Sequence, residues 1–230
     1  MNQGFIKVAA GTPQITVADC QANTRAILEL IHEMEEQHAK IMVFPELCIT
    51  GYTCQDLFLQ RRLLDRAWES LLTIAEETGE VDALIFVGLP MRMNGKLYNV
   101  AAALNHGNIL GFVPKTYIPN YNEFYEQRYF VSGEDVWTDV TVDEESVPFG
   151  SSLIFTCEDL PELTVGAEIC EDLWAPLPPS VNLATGGAHI IVNLSASDEM
   201  VGKDSYRRAL VKGQSARLIC GYIYATAGEG

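Results

Sequence analysis

The spacing of apolar residues along the chain predicts alternating strands and helices. Residues 41–44 and 83–88 are short, continuous apolar runs, the pattern of strands that are buried on both faces. After Asp19, a predicted N-cap, apolar side chains recur every three or four residues, as on one face of a helix. The predicted strands are 5–10, 41–44, 83–88, 98–104, 109–113, 152–156, 164–169, 190–194 and 222–225, and the predicted helices are one that begins after Asp19, then 63–77, 176–184 and 204–218.

Turn residues between these elements indicate how the sheets are arranged. The segment 105–108 contains Asn and Gly, which supply the positive φ angles of a hairpin between strands 98–104 and 109–113. Asp204 is the predicted N-cap of the last helix. Residues 115–148 are rich in turn residues, aromatics and acids and predict a long loop, which in a compact domain is commonly functional or mobile. Because a hairpin interrupts the alternation, we expect mixed sheets with helices packed outside.

The composition is typical of a folded, globular protein. Of the 230 residues, 48% are hydrophobic and 20% are charged, whereas disordered chains are poorer in apolar side chains. This length fits one large α/β domain at least as well as two small ones. The formal net charge of −16 argues against binding to a phosphate backbone or to an anionic membrane surface. No apolar run is long enough for a membrane span and the first five residues lack a signal-peptide pattern, so we expect a cytoplasmic protein with no nucleic-acid or membrane partner.

The six cysteines show neither a disulfide pattern nor a metal-binding pattern. None belongs to a C-x-x-C pair, and the four histidines fall outside metal-ligand spacing, so we expect no structural disulfide and no metal site. Cys170 is the candidate nucleophile, because it alone follows a predicted strand and is flanked by acidic and polar turn residues. Cys20 is predicted to begin a helix. The cysteines predicted to be structural are Cys48, Cys54, Cys157 and Cys220.

Three predicted strands end at an ionisable or nucleophilic side chain. Glu46 is a carboxylate in the low-dielectric surroundings of a buried strand end, which suits proton transfer. Lys115 would supply a fixed positive charge for a developing oxyanion. Cys170 precedes a turn whose N–H groups can bind an oxyanion and whose dipole favours a thiolate. Considered singly, Glu46 is equally compatible with a solvated loop glutamate. A lysine at a strand end is more often a surface charge, and a single cysteine is more often a buried structural residue.

The sequence blocks around these residues resemble the nitrilase superfamily of carbon–nitrogen hydrolases. The glutamate block is FPELCITGY at 44–52, the lysine block covers 115–130, and the nucleophile block is ICEDLW at 169–174. Within the superfamily, the chain resembles the glutaminase domains of glutamine-dependent NAD synthetases. The segments that carry this narrower resemblance are 51–58, 119–121, 193–197 and 202–203.

The resemblance implies a fold and a mechanism. The fold would be an α/β (α+β) nitrilase-like αββα four-layer sandwich, with two mixed β-sheets and helices on the outside. Cys170 is implied as the nucleophile that attacks the side-chain amide of glutamine and forms a thioester. Glu46 is implied as the proton acceptor and donor, and Lys115 and the backbone N–H near Glu171 as the groups that hold the oxyanion.

Supporting residues also follow from the resemblance. Members of the superfamily commonly have a second glutamate beside the lysine; Glu126 is the first choice here and Glu123 the alternative. The substrate-binding residues implied are Tyr52, Tyr121, Glu171, Trp174 and Ser197. Trp174 would form a pocket wall. For Tyr52 and Tyr121, core packing at a strand end is the alternative.

The family also implies partners that lie outside this chain. Its glutaminase domain is followed by an ATP-using synthetase domain, whose S-G-G-x-D-S phosphate loop is absent here. We expect residues 1–230 to be one carbon–nitrogen hydrolase (glutaminase) domain, clipped at its C-terminal end, within a longer homo-oligomeric protein. No cofactor is expected for this domain. ATP and Mg would serve the synthetase domain, which would use the ammonia to make NAD from nicotinic acid adenine dinucleotide.

Three other functions remain open. A free-standing ω-amidase, carbamoylase or aliphatic amidase would act on another small amide. A non-catalytic structural or regulatory module is disfavoured, because the complete set of Glu46, Lys115 and Cys170 is present. A redox thiol protein is disfavoured, because Cys170 has no resolving cysteine nearby in sequence.

Overall fold

Two β-sheets lie face to face, with helices on their outer faces, in the computed structural model, which describes residues 5–228. Three 3₁₀ segments, Tyr52–Leu59, Glu126–Arg128 and Cys170–Trp174, lie between the regular elements. The helices are α1 (Cys20–Glu36), α2 (Arg61–Glu77), α3 (Pro179–Thr185) and α4 (Lys203–Leu218). The strands are β1 (Lys7–Ala10), β2 (Ala39–Val43), β3 (Leu84–Met93), β4 (Lys96–Asn105), β5 (Asn108–Pro114), β6 (Trp137–Val142), β7 (Glu145–Gly150), β8 (Ile154–Thr156), β9 (Thr164–Ile169), β10 (Ile190–Ser195) and β11 (Gly221–Thr226).

Both sheets are mixed. The larger sheet has the order β1-β2-β3-β4-β5-β7-β6, in which β1, β2 and β3 are parallel and β4 is antiparallel to both of its neighbours. The smaller sheet has the order β11-β10-β9-β8, with only β8 antiparallel. The predicted four-layer sandwich of mixed sheets is therefore confirmed. The predicted domain limits, 1 and 230, lie outside the described residues.

Alternation along the strands explains the layers. In β3, Phe86 packs between the two sheets, while Ile85 and Val87 point the other way into the core beneath α1 and α2. In β10, Val192 faces the larger sheet and Ile191 packs against α3 and the start of β11. Strands with an apolar layer on both faces require continuous apolar runs. Full burial of each such side chain contributes about 1.5–3 kcal/mol.

Several local predictions are confirmed by their hydrogen bonds and backbone angles. Asp19 caps α1, since its Oδ1 accepts the N–H of Ala22 at 3.0 Å. The β4–β5 hairpin turns at His106 and Gly107, whose φ angles are +46° and +78°. Among residues 5–228, no helix combines the length and the apolarity needed to cross a bilayer.

The prediction of one long loop over 115–148 is wrong. Strands β6 and β7 form a hairpin inside this stretch, and β7 joins the larger sheet beside β5. The hairpin turns at Asp143 and Glu144, which both have positive φ, +45° and +73°. Sequence patterns detect such turns mainly through Asn-Gly or Asp-Gly pairs, and this turn contains no glycine.

Two predicted helix starts are also displaced. The helix predicted over 176–184 begins at Pro179, so Pro176 lies before it. Asp204 is not an N-cap: Gly202 occupies that position with φ +85°, and α4 begins at Lys203. The Asp204 carboxylate instead pairs with Arg208 one turn along the helix, at 3.0 Å.

Candidate active site

Glu46, Lys115 and Cys170 lie at one edge of the sandwich, where strands of both sheets end. Glu46 follows β2, and Lys115 follows β5, which runs in the same direction as β3 because β4 is antiparallel to both. Cys170 follows β9 in the other sheet. A hydrogen bond from the Glu46 N–H to the carbonyl oxygen of Ser195, at 3.3 Å, joins the two sheets at this edge. All three predicted side chains are buried.

Lys115 lies between two carboxylates. Its Nζ is 2.6 Å from Oε1 of Glu46 and 2.8 Å from Oε1 of Glu126, and its side chain is fully buried. Burial lowers the pKa of Lys115, but Glu126 and Glu46 raise it by more, so that the net pKa is well above its usual value. The ammonium group is therefore a permanent positive charge in a site that also holds two negative charges.

Further donors hold the Glu46 carboxylate. The Nδ2 of Asn99 donates to Oε1 at 2.7 Å, and the N–H of Ala196 donates to Oε2 at 3.1 Å. With the Lys115 ammonium, three donors from three different strand regions fix this carboxylate. Sequence reasoning missed Asn99, because an asparagine within an apolar strand carries no motif that would reveal its partner.

Of the two candidates for the second glutamate, Glu126 contacts the lysine. Both of its oxygens lie within 2.9 Å of the Lys115 Nζ, whereas Glu123 is exposed. The hydroxyl of Tyr52 donates to Oε1 of Glu126 at 2.7 Å. Burial raises the pKa of Glu126, and Lys115 opposes that shift. Tyr52 thus holds Glu126 in this structure.

Cys170 begins the 3₁₀ segment that follows β9. Its φ is +45°, and its N–H donates to Oδ1 of Asn193 at 3.1 Å. Burial and the negative charge of Glu46 raise the pKa of the thiol, and the positive charge of Lys115 opposes them. Burial thus favours the neutral thiol, and the expectation that the turn dipole favours a thiolate stays a prediction.

Asp172 ties the nucleophile turn to the lysine segment. Its carboxylate accepts the N–H groups of Ile169 at 2.9 Å, Tyr117 at 2.7 Å and Thr116 at 3.1 Å. These donors come from the residues just before Cys170 and just after Lys115. Burial raises the pKa of Asp172 to about 8, against the hydrogen bonds from Tyr117 and Ile169. Sequence reasoning missed Asp172, although an acid two positions after the candidate nucleophile was a visible signal.

The remaining predicted residues lie on the segments that follow β5, β9 and β10, and we call these segments the approach to Cys170. Tyr121 is exposed, and its hydroxyl donates to the Glu171 carboxylate at 2.8 Å. Trp174 is half-buried and stacks on Tyr206 with 5.6 Å between ring centroids. Ser197 is buried, two residues after the end of β10.

Lys203 is a cation at this approach that sequence reasoning did not assign a role. Its Nζ is 5.3 Å from the centroid of the Trp174 ring and 5.9 Å from that of Phe124, and it pairs with Asp198. Burial lowers the pKa of Lys203. Within residues 5–228, the side chains of His, Cys, Asp and Glu form no group of three that could hold a metal ion.

Comparison with known proteins places this geometry in a family. The carbon-nitrogen hydrolase pattern matches residues 7–226. A glutamine-dependent NAD(+) synthetase of Mycobacterium tuberculosis is 39% identical over 227 residues, which are 99% of this chain and 33% of that protein. The chain thus spans about a third of the length of the curated relatives that it matches.

Solved structures agree with this assignment. A glutamine-dependent NAD(+) synthetase from Cytophaga hutchinsonii superposes with a TM-score of 0.86 and 32% identity, covering 97% of this chain and 36% of that one. An amidase from Nesterenkonia sp. gives a TM-score of 0.72 over 95% of this chain and 74% of its own, at 19% identity, which shows a shared fold. The resemblance drawn from the three sequence blocks is confirmed, and this chain belongs to the carbon-nitrogen hydrolase family.

Proposed function

We propose that this chain hydrolyses the side-chain amide of glutamine through a thioester on Cys170. The observation that carries the proposal is the buried Lys115 ammonium, held between Glu46 and Glu126 at the strand ends where Cys170 also lies. Glutamine is favoured over other amides because the relatives with substantial identity are glutamine-dependent enzymes by name.

Acylation requires that the thiol lose its proton as it attacks. The Glu46 carboxylate takes the proton from Cys170, and Sγ bonds to the carboxamide carbon of glutamine. The carbonyl oxygen becomes an oxyanion, which the Lys115 ammonium and the N–H of Glu171 stabilise. Glu171 lies in the first turn of the 3₁₀ segment, where N–H groups have no carbonyl partner within the helix.

Collapse of this intermediate releases ammonia, which leaves with the proton that Glu46 returns. A water then attacks the thioester carbon, Glu46 accepts a proton from that water, and glutamate departs as the Cys170 thiol re-forms. In this scheme Glu126 and Tyr52 hold Lys115 in place throughout. Two carboxylates around one ammonium keep the cation charged in a buried site.

Glutamine also carries an ammonium and a carboxylate at its α-carbon, and the approach to Cys170 offers both complementary charges. Glu171, oriented by Tyr121, would accept the α-ammonium. Lys203, which lies over the Trp174 ring, would bind the α-carboxylate. Ser197 would add a hydroxyl donor just after β10, and Trp174 would form a wall of the pocket.

The larger context is also part of the proposal. We infer that residues 1–230 are the amide-hydrolysing domain of a longer, homo-oligomeric synthetase, because the matched relatives are about three times as long. Ammonia would pass to that enzyme's synthetase domain, where ATP and Mg would be needed for NAD synthesis. The six free cysteines favour the reducing cytoplasm as its location.

Glutamine hydrolysis by the purified chain tests the proposal. The parent should release glutamate and ammonia. The Cys170→Ala variant should release neither, although its unfolding temperature should equal that of the parent. Cys157→Ala is the matched control, since that half-buried cysteine follows β8 at the edge of the smaller sheet, and it should keep full activity. Activity in Cys170→Ala would overturn the mechanism. Equal turnover of simple aliphatic amides or carbamoyl compounds would instead assign a general amidase.

A further inference from the structure

Glu168 is a buried carboxylate that the proposed reaction does not use. It lies in β9, two residues before Cys170, and its side chain is 1% exposed. Its Oε2 accepts the N–H of Ser180 at 2.8 Å, and its Oε1 accepts the hydroxyl of Tyr222. Within residues 5–228, Glu168 forms no ion pair. A buried carboxylate sustained by hydrogen bonds alone is costly, which points to a specific role.

Hydrogen bonds lead from this carboxylate to the backbone of the nucleophile. The oxygen of Tyr222 accepts a hydrogen bond from Nδ2 of Asn193 at 3.1 Å. Oδ1 of the same asparagine accepts the N–H of Cys170 at 3.1 Å. The three side chains come from the adjacent strands β9, β11 and β10. We call Glu168, Tyr222 and Asn193 together the Glu168 relay.

The direction of every bond in the relay follows from the carboxylate. An ionised carboxylate only accepts, so the Tyr222 hydroxyl must donate to it. The lone pair of that hydroxyl is then free to accept, so Asn193 must present Nδ2 to Tyr222 and Oδ1 to Cys170. Burial and the charge of Glu168 raise the pKa of Tyr222 well above its usual value, which keeps the hydroxyl proton available.

Cys170 needs such an acceptor because of its backbone conformation. Its φ of +45° lies in the left-handed region, which residues with a Cβ rarely occupy unless the surroundings hold them there. The turn directs the side chain of Cys170, and its N–H is held by Asn193 alone among the described residues.

We propose that Glu168 is a positioning residue, which acts through Tyr222 and Asn193 to hold the Cys170 backbone in the conformation that aims its sulfur at the substrate carbon. The proposal rests on the proposed function only in taking Cys170 as the nucleophile.

Glu168→Gln tests the relay with almost no change in shape. A glutamine has one acceptor and one donor group, and the orientation that keeps the Ser180 N–H bonded places its oxygen there and its Nε2 at Tyr222. The buried Tyr222 hydroxyl proton then has no acceptor at residue 168. It can be satisfied only by Oδ1 of Asn193, whose amide turns over and presents Nδ2 to the N–H of Cys170. Two donors now face each other, and the nucleophile loses its support.

The measurement is the rate at which iodoacetamide alkylates Cys170, followed by mass spectrometry of the peptide that contains it, at mildly alkaline pH. This readout needs no glutamine, so it can fail or succeed independently of the proposed activity. We expect slower alkylation in Glu168→Gln, because the sulfur is no longer held in its reactive position. With an active parent, kcat should fall by about 10²-fold while KM stays near the parent value, because a small misplacement of a group that acts on a bound substrate has an effect of that size.

A second substitution provides a stricter test. Asn193→Asp alone places a second carboxylate beside Glu168, with the single Tyr222 hydroxyl between them, and should be as slow as Glu168→Gln. In the double variant Glu168→Gln/Asn193→Asp, Gln donates to Tyr222, Tyr222 donates to Asp, and Asp accepts the Cys170 N–H. The pattern of donors and acceptors is restored in the reverse direction. The double variant should therefore alkylate at least about tenfold faster than either single variant, a coupling of contacting residues.

Gln214→Leu is the control for a merely structural effect. Gln214 is buried and donates to the Ser180 hydroxyl at 2.8 Å, beside the relay but outside it, so its loss should leave the alkylation rate unchanged. Should the single variants unfold, Tyr222→Phe interrupts the relay with an apolar ring and must slow alkylation on its own. Alkylation of Cys170 at the parent rate in Glu168→Gln or in Tyr222→Phe would overturn the proposal, as would a double variant no faster than the faster of the two single variants.

Discussion

Two buried networks act on Cys170, and they differ in whether a cation is present. The first, which we call the lysine cluster, consists of Glu46, Lys115 and Glu126, with the ammonium between the two carboxylates. The second, the Glu168 relay, contains a carboxylate that is held by hydrogen bonds alone. The lysine cluster can carry out chemistry, because Glu46 can accept and return a proton beside the Lys115 cation. The Glu168 relay contains only fixed donors and acceptors, so it can only orient Cys170.

The comparison also separates two kinds of energetic cost. Removal of the cation from the lysine cluster leaves two buried carboxylates without a counterion, which costs about 3–5 kcal/mol. Removal of one hydrogen bond from a network without a cation leaves single polar groups unsatisfied, at a cost of about 1–3 kcal/mol each. Substitutions in the lysine cluster should therefore reduce stability and activity together. Substitutions in a network held by hydrogen bonds alone should change one of these properties much more than the other.

The largest effect is expected for Lys115→Met. The unfolding free energy should fall by about 3–5 kcal/mol in denaturant titrations, and glutamine hydrolysis should be lost. The loss of stability should shrink as the pH is lowered. Without Lys115, burial raises the folded-state pKa of Glu126 further above its unfolded value. The penalty on the folded state is therefore full above the folded-state pKa of Glu126. It disappears as the pH falls from that value to the unfolded pKa, because the folded state then binds the proton.

Lys40→Met is the matched control for that substitution. Lys40 forms an ion pair with Asp82 at 2.6 Å, but both side chains reach solvent. Exposed pairs contribute about 0–1 kcal/mol, so this variant should unfold close to the parent. Equal losses of stability for Lys115→Met and Lys40→Met would contradict the account of a buried cation between two carboxylates.

Glu46→Gln should reduce kcat by about 10²–10⁴-fold, because it removes the base that the buried thiol of Cys170 requires. Glu123→Gln should leave kcat unchanged, since that side chain is exposed and forms no ion pair with Lys115. Initial rates of glutamate release measure both. A Glu46→Gln variant as active as Glu123→Gln would exclude Glu46 as the proton acceptor.

Asp172→Asn should reduce stability by about 1–3 kcal/mol. The carboxylate accepts three N–H groups, and an amide nitrogen in place of one oxygen would face a donor, most directly that of Ile169 at 2.9 Å. Thermal or denaturant unfolding measures the change. An unaltered midpoint would show that the tie between the lysine segment and the nucleophile turn carries no stability.

The smallest effect is expected for Tyr121→Phe. Its hydroxyl orients the Glu171 carboxylate at the exposed approach to the site, so KM for glutamine should rise by about fivefold while kcat stays unchanged. A fall in kcat without a change in KM would place Tyr121 in the chemical step instead.

Sequence patterns predicted the parts of this site that depend on local order. Apolar runs define the ends of β2, β5 and β9, and polar residues directly after them fall at the edge where both sheets end. The αββα arrangement follows from the same runs together with the family resemblance. Helix α1 was located through its cap, Asp19, because capping is a contact between residues only three positions apart.

Contacts between distant residues could not be predicted in this way. Asn99 reaches Glu46 across 53 positions, and Asp172 reaches Thr116 across 56. Asn193 is one of several polar residues near the end of β10, and only the fold shows that its oxygen meets the Cys170 N–H. Burial of the Cys170 side chain could not be predicted from the sequence either, because burial is a property of the assembled core.

Covalent labelling with a substrate analogue tests the central claim most directly. The reagent is a glutamine analogue that carries a diazoketone in place of the carboxamide, and the readout is peptide mass spectrometry of all six cysteines. The account predicts one adduct, on Cys170, whose formation excess glutamine prevents and Lys115→Met or Glu46→Gln slows. An adduct on a different cysteine, or labelling of Cys170 that glutamine does not affect, would contradict it.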